Sequence, residues 1–317
     1  MKRESSIFVA GHKGLAGSAI VRKLVSDGFS NLLTRDRVQV DLRMQAQVDD
    51  FFEESRPEYV FLAAAKVGGI HANSTYPADF IRENLQIQTN TIDAAYRFGA
   101  KKLLFLGSSC IYPKLCPQPI KEEYLLTGSL EPTNDAYAIA KIAGIRMCSA
   151  YRQQFGFNAI SLMPTNLYGQ GDNFDRVNSH VLPALIRRFH EAKQESTEVV
   201  TVWGSGNPKR EFLHVDDLAD AAVYLMQNYD EEGIVNVGVG DDISIRELAE
   251  MISEIVGYKG RLEFDPSKPD GTPQKLLDVS KLNKLGWSSS ISLREGLTST
   301  YEWFCNHYEE INQTGRA

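Results

Sequence analysis

Along the first half of the chain, apolar residues come in short unbroken runs, and between the runs they recur every three or four positions. The runs Ile7-Phe8-Val9-Ala10, 32–34, 59–64, 102–107 and 159–163 are too short for helices and predict buried strands. Ile20, Val21, Leu24 and Val25 mark a first helix, and 77–98 and 136–155 predict two long ones. A strand that is apolar on both faces must be covered on both. The alternation therefore predicts a doubly wound α/β fold, a parallel sheet with helices on each side.

Beyond residue 165 the spacing loosens. Shorter strands are predicted at 199–203 and 234–237, helices near 216–226 and 244–256, and an irregular passage across the prolines of 266–273. This pattern predicts two interleaved units: a sheet domain over 1–165 and 197–235, and a smaller α/β substrate domain over 166–196 and 236–317.

Composition narrows the class. With 317 residues, 43% of them hydrophobic, the chain can bury a large core. No run approaches the ~20 apolar residues that span a bilayer, and Met1-Lys2-Arg3-Glu4-Ser5-Ser6 lacks the apolar centre of a secretory signal, so a cytoplasmic location is expected. The four cysteines (Cys110, Cys116, Cys148, Cys305) form no CxxC pair and no metal-ligand spacing with the six histidines. Reduced thiols and no metal site are expected. A net charge of −7 with no basic block argues against nucleic-acid binding.

Candidate chemistry begins where the first strand ends. Gly11-His12-Lys13-Gly14-Leu15-Ala16-Gly17 joins that strand to the first helix. Glycines permit unusual backbone angles and close approach, and exposed amides at a helix start attract a pyrophosphate, so the turn predicts a dinucleotide site on a Rossmann-type sheet. After the second strand come Arg35-Asp36-Arg37. An acidic side chain there suits the ribose hydroxyls of NAD, whereas arginine suits the extra 2′-phosphate of NADP; Arg35 and Arg37, with Lys13 in the turn, favour NADP(H). Asp41 and Leu42, at the end of the next short run, are placed to reach the adenine.

The second constellation is Tyr137-Ala138-Ile139-Ala140-Lys141, preceded in the chain by Ser108-Ser109-Cys110 at the end of an apolar run. Residues four apart on a helix share a face, so the Tyr137 hydroxyl and the Lys141 ammonium can line one pocket. A cation beside a phenol favours the phenolate. The expectation is a tyrosine of lowered pKa that exchanges a proton with a carbinol or ketone oxygen near neutral pH, as hydride transfer requires.

The glycine turn, Ser108 and Tyr137-x-x-x-Lys141, in this chain order, resemble the extended short-chain dehydrogenase/reductase family. Ala63-Ala64-Ala65-Lys66-Val67-Gly68-Gly69-Ile70, Leu106-Gly107-Ser108-Ser109-Cys110-Ile111-Tyr112-Pro113, Met163-Pro164-Thr165-Asn166-Leu167-Tyr168-Gly169, Asn178-Ser179-His180 and Arg210-Glu211-Phe212-Leu213-His214-Val215-Asp216-Asp217 resemble the branch that makes GDP-L-fucose. Together they span almost the whole chain. The resemblance implies a substrate, GDP-4-dehydro-6-deoxy-D-mannose, whose C3 and C5 are inverted before NADPH reduces the C4 ketone.

On this resemblance Ser108 and Tyr137 would hold the C4 oxygen, and Lys141 would position the nicotinamide ribose and keep Tyr137 acidic. Cys110 and His180 would be the base and acid of inversion, the thiol made usable by Lys141 or the oxidised nicotinamide nearby. Cofactor contacts carried over are Leu106, Gly107, Ser108, Ser109, Lys141, Pro164, Thr165, Asn166, Leu167 and His180. GDP contacts are Arg188, Trp203, Arg210 and Asp270, whose forks, indole and carboxylate suit phosphate, base and ribose. The family also implies a homodimer through helices 77–98 and 136–155. Ala138, Ala140, Ala143 and Gly144 are small enough for that contact, and equally for packing on the chain's own sheet.

Four other readings compete. A 4,6-dehydratase needs a carboxylic acid pair where Ser109-Cys110 stands, and a 4-epimerase that recycles NAD fits poorly with Arg35 and Arg37. A plain GDP-sugar 4-ketoreductase would leave Cys110 and His180 structural. A catalytically silent NADP-binding regulator would have no use for Ser108, Tyr137 and Lys141 together.

Overall fold

The computed structural model describes residues 1–176, 178–268 and 270–314. The first part of the chain runs β1 (Ile7–Ala10), α1 (Leu15–Ser26), β2 (Leu32–Leu33), α2 (Gln45–Ser55), β3 (Tyr59–Leu62) and α3 (Ile70–Thr75). It continues through α4 (Pro77–Arg97), β4 (Lys102–Leu106), α5 (Asp135–Phe155) and β5 (Ala159–Pro164). The second part contains β6 (Asn166–Tyr168), α6 (Val181–Gln194), β7 (Val199–Trp203), β8 (Lys209–Arg210), β9 (Phe212–His214), α7 (Val215–Asn228) and β10 (Ile234–Val237). Then follow β11 (Ile243–Ser244), α8 (Ile245–Val256), β12 (Arg261–Asp265), β13 (Gln274–Lys275), α9 (Ser280–Lys284), α10 (Leu293–Asn306) and α11 (Tyr308–Thr314).

The expected sheet forms in the order β10-β5-β4-β3-β1-β2, with every pairing parallel. Strand residues alternate between its two covered faces. Ile7, Val9, Phe61, Leu104, Leu106, Ile160 and Leu162 pack with Ile20 and Leu24 of α1 and Leu218, Ala222 and Leu225 of α7. Phe8, Val60, Leu62, Leu103, Phe105 and Met163 pack on the other side with Phe51 and Phe52 of α2, Ile92 of α4 and Ile142 and Ile145 of α5. Each such buried side chain contributes about 1.5–3 kcal/mol, which explains the unbroken apolar runs. Lys102 is the exception at a strand start. Its buried ammonium donates to the carbonyls of Leu225, Met226 and Tyr229 and pairs with Asp230 at 2.7 Å, capping α7 onto the sheet.

The small residues of α5 serve this packing. Ala138 and Ala140 are fully buried within the chain, and a Cβ on Gly144 would stand 2.6 Å from the Phe105 ring and 2.9 Å from Gln88 of α4. Gln88 in turn donates to the Ala140 carbonyl at 2.5 Å, which locks α4 against α5.

The small lobe is a third cluster, in which α6, α8 and α10 pack around Phe189, Leu248, Ile252 and Phe304. Capping boxes, Ser244 with Glu247 and Ser292 with Glu295, start α8 and α10. Here the expected partition needs correcting. Strand 199–203, placed in the sheet domain by the sequence pattern, pairs with β12 and buries Val200 and Val202 in the small lobe. Its alternation of inward Val200 and Val202 with outward Thr201 and Trp203 is that of a strand covered on one face only. Conversely, Leu282 of α9 and Trp287 return to the main sheet. No described helix is long and apolar enough to cross a membrane.

Candidate active site

Chain entry and exit bring the lobes together at the carboxyl ends of the parallel strands, where β1 feeds β2 on one side while β3 lies on its other. Such switch points open a crevice for ligands. The turn after β1 is shaped for close approach. Gly11 has φ 86°, and a Cβ there would lie 2.7 Å from the Ala64 amide nitrogen; a Cβ on Gly17 would run into the Gly11 carbonyl. Gly14 is freer, with the Gly11 carbonyl 3.4 Å from its Cβ position. The amino end of α1 carries no side-chain cap and no acidic residue in its first turn, and the buried Nδ1 of His12 has no partner. Open amides and an orphaned ring nitrogen fit a dinucleotide pyrophosphate.

The charges around this turn are already engaged with one another. Lys13 pairs with Asp36 at 2.9 Å, Arg35 lies over the Phe51 ring and donates to the Thr34 carbonyl, and Arg37 stands 3.6 Å from Asp41. All three basic side chains are exposed, so they can swing to a phosphate. Asp41 is less available than its sequence position implied. Arg43 grips its carboxylate with contacts down to 2.6 Å and holds its pKa at about 2, while Arg43 also meets Glu83. The loop after β3 is fixed by Asn84 of α4, which accepts from the Lys66 amide and donates to the Lys66 carbonyl.

At the end of β4, Ser108 caps a single 3-10 turn (Ser109–Ile111) by accepting the Cys110 N–H at 3.2 Å. That turn aims the Cys110 side chain back toward α5. Tyr137 meets both: the Ser108 hydroxyl favours its ionisation and the neighbouring Cys110 opposes it. The net direction reverses the sequence expectation. Burial pushes the Tyr137 phenol well above its ordinary value, and the lysine four residues on does not counter it, because burial also drives Lys141 toward its neutral form. The Lys141 ammonium donates to the Leu106 carbonyl at 2.7 Å, sits 4.8 Å from the Phe105 ring centre, and is pushed down by burial to about 7. A phenol held neutral is a proton donor. That suits delivery of a proton to a developing alkoxide.

An ammonium that the sequence reading did not name also stands beside Cys110. Lys275 of β13 reaches the Cys110 sulfur at 3.7 Å. Sequence reasoning missed this residue, since a two-residue strand carries almost no periodic signal. His180 is exposed and sits at the amino cap of α6, and the carbonyls of Asn178 and Ser179 just before it lie against Gly69 of the loop after β3. Pro164, Thr165, Asn166 and Leu167 leave β5 for β6. Thr165 and Asn166 both donate to the Glu211 carbonyl there.

The small lobe contributes the facing wall. Arg188 donates to the Thr201 carbonyl at 2.8 Å, next to Trp203, whose indole is 67% exposed with Lys268 5.6 Å from its ring centre. Arg210 lies opposite Ile243 and Lys275 in the three-stranded sheet β11-β8-β13. Burial lowers the pKa of both Arg188 and Arg210, and neither makes an ion pair among the described residues. Asp270 helps offset the effect at Arg210, but its carboxylate is held by the amide and hydroxyl of Ser205 at 2.6 and 2.8 Å. Two partly desolvated guanidinium groups beside an exposed indole are equipped for an anionic, flat-ringed ligand. A separate cavity of about 300 Å³ between α5 and β10, lined by Arg146, Arg152 and Glu232, holds none of these residues.

The sequence profile of the NAD dependent epimerase/dehydratase family matches residues 7–238. GDP-L-fucose synthase 1 of Arabidopsis thaliana is 64% identical over 302 residues, 95% of this chain and 94% of that protein. The GDP-L-fucose synthase of Escherichia coli (strain K12) is 55% identical over 314 residues, 96% of this chain and 98% of that one. Among solved structures, a GDP-mannoheptose C4 reductase from Campylobacter jejuni with NADP bound superposes with a TM-score of 0.89 at 43% identity, covering 96% of this chain and 99% of that chain. The resemblance carried by the glycine turn, Ser108 and the Tyr137–Lys141 pair is borne out, and the chain belongs to the NAD dependent epimerase/dehydratase family.

Proposed function

We propose that this chain converts GDP-4-keto-6-deoxy-D-mannose into GDP-L-fucose, inverting C3 and C5 and then reducing the C4 ketone with NADPH. What supports this best is the convergence of Ser108, Cys110 and Tyr137 in a chain so similar to GDP-L-fucose synthases over nearly all its length. The amides of the glycine turn bind the cofactor's pyrophosphate, and Lys13, Arg35 and Arg37 attract its 2′-phosphate. Arg188 and Arg210 take the diphosphate of GDP, Trp203 stacks on a ring, and Asp270 accepts from a hydroxyl or a guanine nitrogen.

The C4 ketone acidifies the protons on C3 and C5. Removing either one places negative charge on the C4 oxygen, where Tyr137 and Ser108 donate; loss of one such donor costs roughly 10²- to 10³-fold in rate. Cys110 and His180 take and return protons on opposite faces of the sugar. When bound, NADPH supplies the hydride that C4 receives. Tyr137, kept protonated by its buried surroundings, then passes its proton to the oxygen. The enzyme acts in the cytoplasm as a homodimer built on α4 and α5.

A plain C4 reductase is the second reading, favoured by the likeness to the GDP-mannoheptose C4 reductase. Proton NMR of the product made in deuterated water separates the two. Deuterium at both C3 and C5 with the L-fucose configuration is the expected result. Reduced product that keeps protons at both carbons overturns the epimerase reading.

A further inference from the structure

Cys110 stands where the two lobes meet. From the sheet lobe it faces Tyr137 of α5 and the Ser108 hydroxyl. From the small lobe it faces Lys275 of β13, whose ammonium is 3.7 Å from the sulfur. Lys275 is partly buried and forms no ion pair with a carboxylate among the described residues. Two acids of the surrounding strands and loops are engaged elsewhere. Glu211, just past the adjoining strand, accepts the amides of Val239, Gly240 and Leu277. Asp242 accepts from Gln274 and lies 3.7 Å from Lys209. Two other charged or titratable groups adjoin: Arg210, paired in register with Lys275, and the Cys116 thiol, which burial pushes up and Lys275 partly restores.

A positive charge in contact with sulfur, in a partly dry setting and with no acid to neutralise it, favours the thiolate over the thiol. We propose that Lys275 is a positioning residue for epimerisation, its ammonium holding Cys110 as the thiolate that removes a proton from the sugar. This rests on the epimerase reading above. The step balances without any redox partner. The carbon proton passes to sulfur, and the C–H electron pair moves into the enolate and so to the C4 oxygen. His180, as imidazolium, returns a proton to the other face. Cys110 is then a thiol and His180 neutral, and exchange with water restores both. Lys275 keeps its protons throughout. Its strand also lies in register with Arg210, so seating the GDP moiety and presenting the ammonium to Cys110 draw on the same short sheet.

The test uses the full-length, cofactor-free protein. Iodoacetamide alkylation of Cys110 is followed by peptide mass spectrometry across pH in the wild type, Lys275→Met and Lys275→Arg. Lys275→Met is expected to slow Cys110 alkylation about tenfold at neutral pH and to move its pH profile upward, while Lys275→Arg keeps most of the wild-type rate. Alkylation of exposed Cys305 in the same samples should not change. Deuterium incorporation at C3 and C5 should fall in parallel in Lys275→Met and recover as pH is raised, with NADPH affinity unchanged. Lys275→Gln, checked by thermal melting, replaces the methionine variant if that one misfolds. Two failures are separable. An unchanged Cys110 alkylation profile in a folded neutral variant overturns the role of Lys275 even if the wild type epimerises. Wild-type protein that incorporates no deuterium overturns the epimerase reading even if alkylation responds.

Discussion

Lys141 combines a conspicuous sequence position with an uncomfortable environment. Only 3% of it is exposed, and it meets a carbonyl and two aromatic rings rather than a carboxylate. A desolvated ammonium of this kind destabilises the fold that holds it. Lys141→Met should therefore stabilise the cofactor-free protein by about 1–3 kcal/mol at neutral pH while abolishing turnover. The sign with pH follows from the titration. The folded value of about 7 lies below the ordinary 10.5, so between those limits the unfolded chain binds more protons. Wild-type stability rises with pH across that window, and the advantage of the variant shrinks. Urea melts of both proteins from neutral to alkaline pH would show it; a constant difference would mean that Lys141 is solvated. At this scale the sequence revealed which residues meet but not what meeting does to them. The Tyr137–Lys141 spacing was legible because helix geometry is local. The weakened acidity of the phenol was not, because burial is a property of the whole fold. Lys275 was least legible, since it is 165 residues from Cys110 in the chain.

Elements were legible where their packing is two-sided. The strands of the main sheet declared themselves by apolar runs, and β7 was recognised as a strand but put in the wrong lobe. Its five residues carry the alternation of a half-covered strand, a pattern that says what kind of sheet it joins only when read by parity. The turn between β1 and α1 yields a sharper distinction among glycines that look alike in sequence. Gly17→Ala should destabilise the protein by at least about 2 kcal/mol, since its methyl group meets backbone that cannot yield. Gly14→Ala, at a helix cap with space beside it, should cost well under that and leave the melt nearly unchanged. Thermal unfolding of the two variants, followed by NADPH titration, decides whether Gly14 matters to the fold or to the ligand. Equal destabilisation by both substitutions would contradict the packing described for the turn.

At the scale of the whole molecule, the proposed dimer changes its supporting argument. Ala138, Ala140 and Gly144 looked equally suited to a partner or to the chain's own sheet, and they are consumed by the sheet and α4. Among the large apolar side chains of α5, Ile139 is 47% exposed and Phe155 is 43% exposed and stacked on Tyr96 of α4 at 4.5 Å. Exposed apolar side chains on this long helix favour burial against a second copy. Light scattering at micromolar concentration should give the mass of two chains, and Ile139→Asp should lower it to that of one. A wild-type monomer ends the proposal.

The path of the chain between the lobes has a consequence for how such a protein can change. It crosses near 165–168, 212–215, 238–243, 275–278 and 288–292, and the crossings are fastened to one another. β6 pairs with β9, and the buried Glu211 gathers amides from 239, 240 and 277. No single cut frees either lobe, so the substrate half cannot be traded as a cassette in the way a terminally appended module can. New specificity has to be written in place, one side chain at a time, on strands that also hold the protein together. Arg210 and Glu211 show how fine that grain is: consecutive residues, one proposed for the ligand and the next sealed beneath it as a fastening.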